Sequence, residues 1–145
     1  MKVVVDTNIM FSVLLKHKSK ERDFLFLSEE IEFFSCRFAI VELFKNKEKI
    51  LKYSKLTENE ILTTFYKLLK LINFYNEDLI SPEILKKAFE LCHDVDEKDT
   101  VFVALTMELG AYLWTGDKKL QEPLVSKGFN QFLFFDKLEW KKVKS

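Results

Sequence analysis

The sequence predicts an α/β fold: one domain over residues 1–145, three-layered α/β/α, around a central and mainly parallel sheet of about four or five strands. Three observations predict it. Lys2-Val3-Val4-Val5 is an unbroken strand-forming run that ends in Asp6, and such runs suit a central parallel strand covered on both faces. Strand-like and helix-like segments alternate along the chain, which argues right-handed crossovers with helices on both sides of the sheet. Tyr112-Leu113-Trp114 leads into Thr115-Gly116-Asp117, so a second short strand also delivers a carboxylate. In open α/β sheets ligands bind beyond the carboxyl ends of the strands, where Asp6 and Asp117 would stand.

After Asp6, Ile9, Met10, Val13 and Leu14 recur at helical spacing and predict a helix from about Asn8 to Lys16. Asp6 is then either a cap for that helix or a functional acid at a sheet edge. A second helix fits Glu21 to Glu29, and Ile31 to Cys36 reads as a short strand. From Ala39 onward, Ile40, Val41, Leu43, Phe44, Ile50 and Leu51 suggest one helix, with Glu42 alone among apolar neighbours in its first turns. Thr57-Glu58-Asn59-Glu60 is a capping box for an amphipathic helix carrying Ile61, Leu62, Phe65, Leu68, Leu69 and Ile72. Ser81-Pro82 places a cap and a first-turn proline before a helix that ends near His93. Thr100 to Leu109 is apolar nearly all round and predicts a buried helix closed by Gly110. Lys118 to Ser126 is a short helix closed by Gly128, Phe132 to Phe135 a last strand, and Asp136 a cap for a terminal turn.

Composition narrows the functional classes. Hydrophobic residues make up 48% and charged residues 32%, a globular composition, and a chain of this length buries roughly 70% of its unfolded surface without staples. Lys+Arg and Asp+Glu each number 23, so any polyanion site must be local. Cys36 and Cys92 match no zinc or CxxC spacing and are assigned no metal or redox role. No apolar run approaches the roughly 20 residues of a membrane span. Met1 leads straight into a strand without a signal-peptide pattern, so the expected location is cytoplasmic and no membrane partner is expected.

The acids carry the chemistry. Asp6 and Asp117 follow strands, Asp96 and Asp99 precede the buried helix, and Glu42 opens another, so all could meet at one sheet edge. One or two acids at a helix N-terminus need no functional explanation, but Asp94, Asp96, Glu97 and Asp99 exceed what the macrodipole asks for. Carboxylates gathered within several Å raise one another's pKa and destabilise the fold unless a cation or proton intervenes. Oxygen-only ligation suits Mg²⁺ or Mn²⁺ over Zn²⁺, and Mg²⁺ commonly bridges one or two carboxylates to a substrate phosphate.

Val5-Asp6-Thr7-Asn8, Glu42 on an apolar helix, Asp96-Glu97-Lys98-Asp99 before Phe102-Val103-Ala104-Leu105, and Thr115-Gly116-Asp117-Lys118-Lys119-Leu120 together resemble the successive acidic motifs of the PIN-domain ribonucleases, VapC-like toxins included. Each motif alone is weak; their order and context over nearly the whole chain are specific. The resemblance implies a metal-dependent endoribonuclease in which Asp6, Glu42, Asp99 and Asp117 are catalytic acids and Asp6, Asp99, Asp117 and auxiliary Asp96 hold Mg²⁺ or Mn²⁺. Asn8 and Thr115 would support the acids by hydrogen bonds, and a water activated by the metal would attack the phosphodiester in line. Lys98, Lys118 and Lys119, nearest the acids, would contact RNA, since only Arg22 and Arg37 supply guanidinium. The Lys-rich stretch Lys45 to Lys55 reads as a solvated face or a phosphate-binding one.

The resemblance also implies a possible antitoxin protein as partner, and 15 Phe make an exposed apolar patch plausible, as a homodimer face or a peptide groove. Two other readings compete. A phosphotransferase of the haloacid dehalogenase type expects a second acid two residues after the first, where this chain has Asn8. A non-catalytic PIN-like scaffold would bind RNA or protein without cutting.

Overall fold

Val3, Val4 and Val5 have no solvent-exposed surface, because the strand they form lies inside the sheet with a parallel neighbour on each side. The computed structural model describes residues 1–134. Its elements, in order, are β1 (Lys2–Val5), α1 (Thr7–Leu15), α2 (Lys20–Leu27), β2 (Glu32–Cys36), α3 (Phe38–Lys45), α4 (Lys47–Tyr53), α5 (Glu58–Leu71), β3 (Ile72–Tyr75), α6 (Pro82–Cys92), α7 (Thr100–Leu109), β4 (Tyr112–Trp114) and α8 (Lys118–Ser126). Short 3₁₀ turns cover Glu77–Leu79 and Glu97–Asp99. Among the described residues the sheet has four strands, all parallel, in the order β3-β2-β1-β4. No helix among them is long and apolar enough to cross a membrane.

This is the expected three-layer α/β/α arrangement. On one side α1 packs against α2, α3, α4 and α5; α7 lies along β1, β2 and β4 and is covered by α6. The uniform apolarity of α7 has its reason here: Phe102, Val103, Ala104, Leu105 and Thr106 are all buried, between sheet and helix. Phe24 packs edge-on against both Trp114 and Phe33, at centroid distances of 4.8 and 5.8 Å. That aromatic cluster fixes the end of β4 from below. Gly110 closes α7 with φ +60°, the left-handed turn a glycine makes without a Cβ penalty.

Three elements differ from the sequence reading. The helix expected from Ala39 through Leu51 is divided at Asn46, whose side-chain amide donates to the Glu42 carbonyl at 2.8 Å. An asparagine that bonds the backbone locally competes with the helical ladder. β3 was not expected: Ile72 continues the apolar face of α5 and equally begins a strand, an ambiguity that periodicity cannot resolve for short runs. Pairing with β2, Phe33 opposite Ile72 and Ser35 opposite Phe74, decides it. Of the expected last strand, Phe132 makes a single parallel bridge to Leu113, while Phe135 and the cap at Asp136 lie outside the described residues.

The hydroxyl of fully buried Ser35 donates to the Val5 carbonyl at 2.8 Å and so ties β2 to the last residue of β1. Ser35→Ala leaves that carbonyl without this partner. The expected loss is about 1–3 kcal/mol of unfolding free energy by urea titration, with an unchanged denaturant slope.

Candidate active site

β1 carries its carboxylate into the fold. Asp6 is 5% exposed, and it occupies the N-cap position of α1, yet its side chain makes no capping hydrogen bond. Instead it accepts from the Thr115 hydroxyl at 2.7 Å. Thr115, itself buried, follows β4, and its Oγ1 also accepts the Asp117 N–H at 3.1 Å. The Gln121 side-chain amide donates to the Thr115 carbonyl at 3.0 Å and holds this corner from α8. One threonine thus orients the first acid and the loop carrying the last one.

Glu42 approaches from α3, on the β2 side. Its Oε1 accepts from the Thr7 hydroxyl at 2.8 Å, so the residue next to Asp6 in sequence holds the second acid. α3 is anchored at its start, where the Phe38 N–H donates to Glu77 Oε2 at 3.0 Å and the Arg37 N–H to the Tyr75 carbonyl at 3.3 Å.

Asp99 repeats the pattern of Asp6. It stands at the N-cap of α7 without a side-chain capping bond, and its Oδ2 is buried with no hydrogen-bond partner among the described residues. Asp96 and Asp117 behave otherwise. Asp96 is exposed and accepts the Lys98 N–H at 3.0 Å, capping the short 3₁₀ turn, and Asp117 accepts the Lys119 N–H at 3.0 Å, capping α8. Lys98, Lys118 and Lys119 have exposed side chains around these acids. Asn8 is exposed, and it acts on Asp6 through its backbone amide.

The electrostatics place these acids within one another's field. Burial pushes the Asp99 carboxyl up to about 7, helped by the charges of Asp6, Asp96, Asp117 and Glu42. Burial also raises Asp6; the Thr115 hydrogen bond and the Asn8 amide pull it back, and Glu42 pushes it further up. No three His, Cys, Asp or Glu side chains among the described residues lie close enough to enclose a metal ion as they stand. The acids share a field without sharing a coordination sphere. The donor set is nonetheless all oxygen, and an orphaned buried carboxylate oxygen such as Asp99 Oδ2 is what a hard cation would satisfy. Both thiols are buried, and burial pushes Cys36 and Cys92 each up to about 12, far from thiolate chemistry.

Sequence reasoning did not assign roles to Thr7, Glu77 or Gln121. Thr7 lay inside a recognised motif, where its neighbour to an acid was a usable signal. Glu77 and Gln121 reach the site from loop and helix positions with no local pattern.

Fold and site together define a parallel three-layer domain with a set of electrostatically coupled carboxylates at the carboxyl side of its sheet. A PIN domain family profile matches residues 4–131, and the chain belongs to the PIN-domain family. No curated protein matches the sequence. Among solved structures, a chain from the crystal structure of VapBC2 from Rickettsia felis bound to a DNA fragment from their promoter superposes with a TM-score of 0.60. The identity is 18%, over 83% of this chain and 92% of that one, a likeness of fold.

A pH dependence follows. The folded pKa of Asp99, about 7, lies above its ordinary 3.8, so folding favours the neutral acid. The associated stability is present in full below pH about 4 and is lost as pH rises through about 7. Without divalent cations, the melting temperature is expected to fall across that window, and Asp99→Asn to flatten the fall. An unchanged profile in the variant refutes the coupling.

Proposed function

We propose that this chain is a divalent-metal-dependent endoribonuclease that hydrolyses RNA phosphodiesters, and that it is the toxin of a type II toxin–antitoxin pair. The observation that carries the reading is that Asp99 holds the N-cap of α7 without a side-chain capping bond and leaves its buried Oδ2 without a partner among the described residues, in the field of Asp6, Glu42, Asp96 and Asp117. An acid kept in a buried cleft, beside other acids and away from its local structural use, serves the cleft.

In this reading Asp6, Asp99, Asp117 and auxiliary Asp96 would hold the cation, with Glu42 as a further catalytic acid beside them, and binding would draw these side chains together from the separated positions they occupy without it. Mg²⁺ or Mn²⁺ suits the oxygen donors. The bound cation supplies positive charge that acidifies an attacking water and stabilises the phosphate oxygens. Thr115 and Thr7 fix the orientation of Asp6 and Glu42 by donating to one oxygen of each. Lys98, Lys118 and Lys119 hold the flanking phosphates. No side chain is needed as a covalent nucleophile.

The toxin part of the reading is supported by the VapBC2 neighbour. A groove of about 400 Å³ between α3, α4 and α5, lined by Ile40, Phe44, Leu51, Ile61 and Leu62 among others, offers apolar surface to an antitoxin protein.

Mg²⁺ or Mn²⁺ is expected to raise the melting temperature by linkage and to support cleavage of single-stranded RNA that chelator stops. Asp6→Asn and Asp99→Asn remove both effects. Thr115→Val, which keeps the shape and loses the donor, lowers metal affinity by about 10–100-fold. RNA binding without cleavage at every divalent metal tried would establish the non-catalytic scaffold instead. Expression of the chain alone is expected to arrest growth of a bacterial host, and Asp99→Asn to relieve the arrest; harmless expression of the active enzyme counts against a toxin.

A further inference from the structure

The sequence left Lys45 open between a solvated and a phosphate-binding role. On α3, Glu42 borders the buried side defined by Ala39 and Leu43, while Phe38 and Lys45 fall on its outer flank, both within about 60° of Glu42 at 100° per residue. Phe38 is half-buried and Lys45 exposed, and the Lys45 Nζ stands 5.8 Å from the Phe38 ring centroid. Phe38 is the residue whose amide Glu77 holds, so its ring sits on an anchored turn.

Strand order places this pair opposite the cations already considered. β1, with Asp6, lies between β2, which feeds α3, and β4, which feeds α8 and its Lys118 and Lys119. α3, with Phe38 and Lys45, therefore lies on the β2 side of Asp6, and Lys118 and Lys119 lie on the β4 side. A strand of nucleic acid crossing the sheet edge would meet a cation on each side of the scissile phosphate. The acids between the rims repel phosphate, so contacts at the rims must offset that repulsion.

We infer that Phe38 and Lys45 form a nucleotide subsite on the α3 rim, Lys45 pairing a backbone phosphate and the Phe38 ring stacking the adjacent base of single-stranded RNA. The inference rests on the ribonuclease reading above and adds to it where the substrate strand leaves the cleft. Aromatic stacking beside a basic side chain is a sequence-tolerant way to hold a single strand. Lys45 also complements the C-terminal end of α3, a structural role that would show in stability alone.

The test is a titration of a fluorescein-labelled single-stranded oligoribonucleotide into the full chain carrying Asp99→Asn in Mg²⁺, at several salt concentrations. Lys45→Ala is expected to weaken binding several-fold and to reduce the slope of log K against log salt by about one. Phe38→Leu, which keeps an apolar side chain on the turn, is expected to weaken binding roughly fivefold or more with the slope unchanged. A slope unaltered by Lys45→Ala overturns the subsite, whatever the change in melting temperature. If the Asp99→Asn parent does not bind and the unsubstituted chain does not cut, the ribonuclease reading fails and the subsite with it. Cleavage by the unsubstituted chain, with binding indifferent to both substitutions, overturns the subsite alone.

Discussion

The hydrogen bond from Thr115 to Asp6 is the constraint on which the site depends. It joins residues 109 positions apart at 2.7 Å, in a place where neither side chain is open to water. A buried carboxylate without a donor would be driven to its neutral form. With one, it keeps part of its acidity in spite of burial and of Glu42. The bond exists because β1 and β4 are adjacent and parallel, Val5 opposite Trp114, so the residues that follow each strand emerge side by side. Sheet order is therefore the proximate cause of the site, and the buried valines of β1 together with the packing of Trp114 on Phe24 are what hold that order.

The cleft works against the stability of the fold that makes it. Asp99 is raised to about 7 by its own burial and by four neighbouring acids, and its Oδ2 has no partner among the described residues. A structural site would have neutralised such a group with a lysine or a backbone amide. Amides are at hand: Asp96 and Asp117 use those of Lys98 and Lys119. Asp6 and Asp99 make no side-chain capping hydrogen bond of that kind, whereas Asp96 and Asp117 do. Local structure thus occupies the carboxylates of Asp96 and Asp117 and leaves Asp99 Oδ2 without a partner among the described residues.

How much of this was legible depended on whether the information was local. The run Val3-Val4-Val5-Asp6, the capping box at Thr57 and the buried helix from Thr100 to Leu109 each carry their cause within a few residues, and each forms as expected. The acids were legible because a carboxylate after a strand, or on an otherwise apolar helix, contradicts its neighbours. β3 was not, since Ile72 satisfies a helical and a strand period at once and only its partner β2 distinguishes them. Asn46 looked like one polar residue in an amphipathic helix; its side-chain bond to the Glu42 carbonyl ends α3 there. The supporting bonds from Thr7, Glu77 and Gln121 span 35, 39 and 6 positions, and the long ones have no sequence signature at all.

The break at Asn46 bears on function. A continuous helix from Ala39 to Leu51 would have only one end near the sheet edge and could pivot about it. Ending at Lys45, α3 is instead held at three points: Glu77 and the Tyr75 carbonyl at its start, Thr7 at Glu42, and Asn46 on the Glu42 carbonyl. Two of the three act on the same residue, one through its side chain and one through its backbone. A short helix fixed in this way cannot slide along the sheet without breaking a bond at Glu42. The position of the second acid is therefore set by local bonds, while Ile40, Leu43 and Phe44 of the same helix line the apolar groove that α4 and α5 complete. α3 thus serves the acids with Glu42 and the groove with Ile40 and Phe44, and the break at Asn46 turns α4 so that Ile50 and Leu51 face the same groove.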